Sequence, residues 1–158
     1  MALSEKRLLV IYHTEGVRTM LMANLIKQGA TEFGLKVDIK SVKDVDINSF
    51  TEYDGLIIGS PTYFSNVSWQ IKKLLDNTYH LREDGFKLRG KIGGSFTSSD
   101  TKIDGEDCVR MIDIAMRVHH EMETLPGIIV TIKMTDNEIF EQCKLYGEKI
   151  AEKILSIK

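Results

Sequence analysis

The spacing of apolar positions switches between strand-like and helix-like five times along the chain. Leu8 to Ile11 is an unbroken apolar run, the pattern of a strand buried on both faces of a parallel sheet. From Val17 the period becomes helical: Val17, Leu21 and Leu25 share one face, with Met20, Ala23 and Ile26 beside it. Lys36 to Val42 alternates apolar and polar, which suits an edge strand, and Asp46 to Tyr53 holds no more than a turn or two of helix. Tyr53 to Ser60 is a second buried strand, closed by Pro61, which cannot continue a central ladder. The next helix sets Val67, Ile71, Leu74 and Leu75 inward, with Lys72, Lys73 and Asp76 outward.

His80 to Gly90 reads as a polar loop, Lys91 to Phe96 as a strand, and Thr97 to Gly105 as a hydroxyl-rich loop. A fourth helix over Glu106 to Glu123 carries apolar positions at 108, 111, 112, 115, 118 and 122. Leu125-Pro126-Gly127 breaks it, and Gly127 to Ile132 is the last strand. Thr135 and Glu138 have capping-box spacing, and the final helix points Ile139, Cys143, Tyr146, Ile150, Ile154 and Ile157 inward.

Alternating apolar strands and helices predict one three-layer α/β/α domain over residues 1–158, doubly wound around a five-stranded parallel sheet. The expected strand order is 2-1-3-4-5, with a ligand at the carboxyl ends of strands one and three. The loops that meet there are 13–19, 61–66 and 97–105. A formal net charge of -2 offers no strong field for nucleic acid or an anionic membrane. Cys108 and Cys143 lie in helical patterns without metal-ligand spacing, so both read as small buried hydrophobes and no metal site is expected. No secretory signal and no apolar run near membrane length stand in the sequence, and the expected location is cytoplasmic.

The first loop runs directly into a helix, whose N-terminus leaves amides without partners and carries partial positive charge. With Thr14, Gly16 and Thr19 there, it suits a phosphate, although Thr14 alone also fits a plain helix cap. Arg18 either adds charge or stays solvated. Tyr63 and Phe64 either stack on a flat ring or cover the core, and Thr97 to Thr101 supplies a polar rim. Phosphate end, aromatic middle and polar rim together point to a nucleotide-like cofactor such as FMN. Competing uses of the topology fail on their residues. A phosphoacceptor receiver needs an acidic pair where His13-Thr14 stands, a low-molecular-weight phosphatase needs a cysteine in this loop, and a dinucleotide fingerprint needs three glycines where only Gly16 is present.

Tyr12, Thr14, Thr19 and Ala23 match the flavodoxin signature in order and spacing, with Val17 at its small position, so Gly16 is expected to take a left-handed turn. Gly59 to Asn66, then Gln70, Leu75 and Asp76, are similar to the second cofactor loop of WrbA-type proteins. Lys91-Ile92-Gly93 with Phe96 to Ser99 resembles the third loop, and His119-His120 resembles a histidine pair. The sequence thus resembles the flavodoxin family, particularly the WrbA-type multimeric flavodoxins of the NAD(P)H:quinone oxidoreductase kind. The similarity covers most of the chain. It departs in lacking the glycine run of the third loop, the long insertion after the second strand and a tryptophan near Tyr79 to Arg82.

By that resemblance Thr14, Glu15, Gly16, Val17, Arg18 and Thr19 hold an FMN phosphate. Thr62, Tyr63 and Phe64 line the ring, with Pro61 and Asn66 in the same loop. Ser98, Ser99, Asp100 and Thr101, following Thr97, meet the ribityl chain and ring edge, and His120 lies by the flavin while His119 packs in the core. The implied activity is an oxidoreductase passing electrons from NAD(P)H to a quinone or similar acceptor, with no catalytic side chain required. The alternative is a carrier between redox proteins, which usually docks through a strongly acidic face that a -2 balance does not supply. A flavin-free partner-binding module leaves the three loops unexplained. A homo-oligomer, dimer or tetramer, is also implied, with Trp69 a contact or a core-edge residue.

Overall fold

The structure, a computed structural model, describes residues 5–158. Strand β1 (Arg7–Tyr12) leads to helix α1 (Arg18–Glu32), strand β2 (Lys36–Ser41) and a 3-10 turn (Ile47–Glu52) capped by Asp46. Then follow β3 (Gly55–Pro61), α2 (Trp69–Asn77), α3 (Tyr79–Glu83), β4 (Ile92–Ser99) and α4 (Lys102–Asp113), which passes into a π-helical segment, Ile114–His119. Strands β5 (Glu123–Thr124) and β6 (Ile128–Thr131) precede helix α5 (Asp136–Ser156).

Every strand pair is parallel, in the order β2-β1-β3-β4-β5, and β6 continues the fifth position along β4. The order is the expected one, but the fifth strand is broken. Gly93 pairs with Thr124, yet Phe96 pairs with Ile128, so one extra residue is taken up around Pro126. Proline has no N–H to give the ladder, and such an insertion is a bulge. Gly127 fits because a Cβ there would lie 2.3 Å from Ser95 Oγ.

The sheet carries a core on each face, which is why β1 reads as a continuous apolar run. Leu8 and Val10 pack with Met22, Ile26 and Ile150 under α1 and α5, whereas Leu9 and Ile11 pack with Ile71, Leu74 and Ile112 under α2 and α4. Among the described residues no helix is long and apolar enough to cross a membrane, and no group of three His, Cys, Asp or Glu side chains could hold a metal.

Several boundaries and faces differ from the expectation, each for a physical reason. Helix α1 buries Thr19, Met22, Ala23, Ile26, Gly29 and Ala30, leaving Val17 72% and Leu21 47% exposed. Small residues decide the face. A Cβ on Gly29 would lie 2.0 Å from the Lys144 carbonyl of α5, and one on Gly147 would lie 2.1 Å from the Ile26 carbonyl. Strand β4 runs three residues past Phe96, because Thr97 and Ser98 pair in register with Ser60 and Pro61. Helix α4 starts at Lys102, where Thr101 Oγ1 accepts from the Asp104 amide, so the third loop shrinks to Asp100 and Thr101. The helix also stops short of Glu123, and Met111 within it and Val118 in the π-helical segment are both exposed. Within residues 80–90, α3 forms and buries Leu81, and Leu88 is buried beyond it.

Candidate functional site

The carboxyl edge of β1, β3 and β4 gathers the first two loops and the end of β4. At the end of β1 the His13 amide still donates to Gly59 O (3.1 Å). The next backbone donor to find a protein acceptor is Leu21, on Val17 O at 2.9 Å; among the described residues the amides from Thr14 to Met20 have none. They surround a cavity of about 350 Å³ lined by residues 14–19 together with Pro61, Tyr63 and Ser98. Unpartnered amides at the start of a helix are built to receive an anion.

Side chains brace this turn instead of filling it. His13 is buried and shares a 2.7 Å hydrogen bond with Glu15 Oε1, and Gln70 Nε2 donates to the same oxygen at 3.2 Å. The bond from His13 is the main reason the Glu15 carboxyl sits below the usual carboxylate range. Thr14 Oγ1 donates to Gly16 O at 2.7 Å and makes no helix cap. The left-handed turn expected at Gly16 is absent, since neither it nor Val17 (φ -116°) has positive φ. Buried Thr19 instead meets Ser98 across the sheet, Oγ1 to Oγ at 3.1 Å. Arg18 and Glu15 contribute one charge of each sign to the cavity wall, so attraction for an anion rests on amides and the helix dipole.

In the second loop Tyr63 and Asn66 exchange both backbone hydrogen bonds at 3.0 Å, closing a tight turn. Its two central residues, Phe64 (φ 49°) and Ser65 (φ 61°), are left-handed without being glycine, at a cost of about 1–2 kcal/mol each. Ser65 Oγ donates to Asp104 Oδ1 at 2.6 Å and ties the turn to α4; that bond and the one from Thr101 hold the Asp104 carboxyl below its ordinary range. Tyr63 lines the cavity, whereas Phe64 projects fully into solvent at the rim. Thr62 Oγ1 bonds Thr97 Oγ1 (2.7 Å) and its amide donates to Ser98 O, while Asn66 Oδ1 accepts from the Val67 amide. Thr62 and Asn66 thus hold the loop's shape.

Of the third group, Ser98 alone lines the cavity. Thr97 is buried and donates to Ser60 O at 2.6 Å, and Ser99 is buried with its Oγ unpartnered. Asp100 and Thr101 are exposed beyond the strand end. His120 is not brought to this edge. It precedes Glu123, which pairs with Ile92 at the opposite end of β4, about 20 Å of strand away from Ser99. There it is buried with Nε2 bonded to Thr78 Oγ1 (2.7 Å), while His119 is the exposed member, the reverse of the expected packing. The π-helical turn displaces the register that would have placed His119 inward. Sequence reasoning missed the bracing roles of His13, Gln70 and Asp104. The His13-x-Glu15 spacing, which puts both side chains on one side of an extended segment, was the available signal for the first.

Comparison with known proteins agrees with this geometry. The flavodoxin family model matches residues 10–125. The chain is 27% identical to the flavodoxin of Clostridium saccharobutylicum, over 94% of its own length and 97% of that protein's. It is 31% identical to an NAD(P)H dehydrogenase (quinone) of Bradyrhizobium diazoefficiens, over 73% of its length and 68% of the relative's. Among solved structures, the flavodoxin, WrbA-like protein of Agrobacterium tumefaciens superposes with a TM-score of 0.84 at 22% identity, covering 98% of this chain and all of that one. The strand order, the amide-lined turn after β1 and the matched span lead to one assignment: this chain belongs to the flavodoxin family.

Proposed function

We propose that the protein binds FMN at the carboxyl edge of the sheet and passes electrons from NAD(P)H to a quinone or similar acceptor. One observation carries the cofactor reading, the unpartnered amides from Thr14 to Met20 around an open cavity. The residues fit the group. A phosphate needs several donors and no facing carboxylate, and the Glu15 carboxylate is already held by His13 and Gln70. Thr14 and Thr19 add hydroxyls, Gly16 leaves open space in which a Cβ would meet nothing within 4 Å, and Tyr63 offers a ring beside it. Ser98 lines the same cavity, with Asp100 and Thr101 beyond it, and their polar side chains suit a ribityl chain and ring edge.

Bound FMN supplies reversible one- and two-electron chemistry; the protein supplies position and access. The braced 63–66 turn keeps an aromatic wall on one side of the cavity, and the amide turn fixes the phosphate end. No side-chain acid or base is needed at this edge. The oxidoreductase reading is supported by the relatives that are NAD(P)H dehydrogenases (quinone). A second reading, a carrier between redox proteins, is favoured by the apolar rim: Phe64 is fully exposed, Val17 72% and Ile103 74%. The end-to-end match with a flavodoxin points the same way.

Stopped-flow mixing of the FMN-loaded protein with NADH or NADPH separates the two. Flavin bleaching faster than that of free FMN, followed by turnover with a soluble quinone, is the expected result. Bleaching only by a reduced protein donor would replace the oxidoreductase with the carrier.

A further inference from the structure

A second cavity, of about 500 Å³, lies between α2–α3 and the π-helical segment, running from Val67 to the 119–120 pair at the end of the sheet away from the amide turn, and shares no lining residue with the first. Its size is that of a small-molecule site. The walls are apolar, with Leu75 and Tyr79 on one side and Met111, Ile114 and Ala115 on the other. One wall is the π-helical turn itself, a geometry that is rare and gathers at functional sites.

One end is cationic and uncompensated. Arg82, His119 and His120 meet there, and Arg82 Nε and His120 Nδ1 are buried without partners. Thr78 Oγ1 donates to Leu75 O, so it accepts from His120 Nε2 and offers nothing to Nδ1. The nearby carboxylates are committed elsewhere: Asp113 to Arg117, Glu121 to Arg89, and Asp76, on the exposed rim, to Lys72. Burial first, then Arg82 and His119, hold the His120 pKa below its ordinary value, so His120 is neutral there and the Arg82 guanidinium is the charge left without a partner.

From the apolar walls and the unpaired cationic end, we propose that this cavity binds a small amphipathic carboxylate, aromatic or short-chain acyl, with its apolar body against Leu75, Met111 and Ile114 and its carboxylate at Arg82 and His119. The site is separate from the FMN edge and does not depend on it. An anion there replaces missing charge compensation, and such charge-assisted bonds are the strong ones.

The test is a titration of the full chain, in the presence of FMN, with 2-naphthoate and with neutral 2-naphthamide, followed by amide NMR shifts. Saturable shifts at Leu75, Ala115 and His119 are expected, with naphthamide at least about tenfold weaker. Arg82→Gln should weaken naphthoate by a similar factor, and Ala115→Phe, which fills the cavity and keeps the charges, should abolish binding. Shifts confined to residues 14–19 and 61–66, equal affinity for the amide, or no saturation by roughly 1 mM would overturn the proposal.

Discussion

Gly16 shows how one residue can matter to a ligand and not to the fold. A Cβ at this position meets nothing within 4 Å, so Gly16→Val should leave unfolding free energy within about 0.5 kcal/mol. The same side chain would occupy the space beside the free amides, and FMN affinity should fall about tenfold or more, read by flavin fluorescence. Wild-type affinity in this variant would remove the phosphate from the turn. His120 gives a residue-scale prediction of the other kind. Burial first, then Arg82 and His119, lower its pKa, so the folded state refuses a proton that the unfolded chain accepts. Its contribution is complete above the unfolded value of about 6.5 and is lost as pH falls through the lower folded value. His120→Gln keeps a donor for Thr78 Oγ1, and stability should then drop less between about pH 7.5 and 5 in chemical denaturation. An unchanged slope would assign the acid sensitivity to other groups. At this scale the meeting of Thr14, Thr19 and Tyr63 around one cavity was legible, because the strand order alone brings the loops after β1 and β3 to the same edge. His120 was not, because a local motif does not reveal which end of the sheet its residues reach.

Helices α1 and α5 meet backbone to backbone, and the pair of glycines that permits it sets which face of α1 is buried. Gly29→Ala places a methyl 2.0 Å from Lys144 O, and neither backbone can yield cheaply. The expected loss is about 1–3 kcal/mol, measured by urea denaturation, with FMN affinity of the folded protein unchanged because Gly29 lies far along α1 from the amide turn. Loss below about 0.5 kcal/mol would show that the helices can slide apart. The same contact explains a sequence expectation that failed: counting large apolar residues chose Val17 and Leu21, whereas close approach selects Ala23, Gly29 and Ala30. The capping box of Thr135 and Glu138 was legible because its chemistry is local, and it is present. The extension of β4 through Thr97-Ser98-Ser99 was not, because hydroxyl residues read as loop until Ser60 O and Thr62 Oγ1 are seen to satisfy Thr97.

Across the whole molecule, the alternation of apolar strands with helices was enough to give the layered fold and its strand order, since parallel pairing and right-handed crossovers leave few alternatives. That order brings the loops after β1 and β3 and the end of β4 to one edge and sends the 119–120 pair to the other. The bulge at Pro126 and the π-helical turn were hidden in the sequence, because both depend on packing against β4. Among its cavities the molecule therefore presents one lined by free amides and another that ends at the unpaired Arg82.

Comparison of FMN with riboflavin, titrated into the same protein and followed by fluorescence quenching, tests the phosphate-binding turn most directly. The two ligands share the ring and ribityl chain and differ by the phosphate. Stoichiometric FMN uptake with riboflavin about 100-fold weaker, the free energy of one to two charge-assisted hydrogen bonds, is the predicted result. Equal affinities, or no uptake of either flavin, would contradict it.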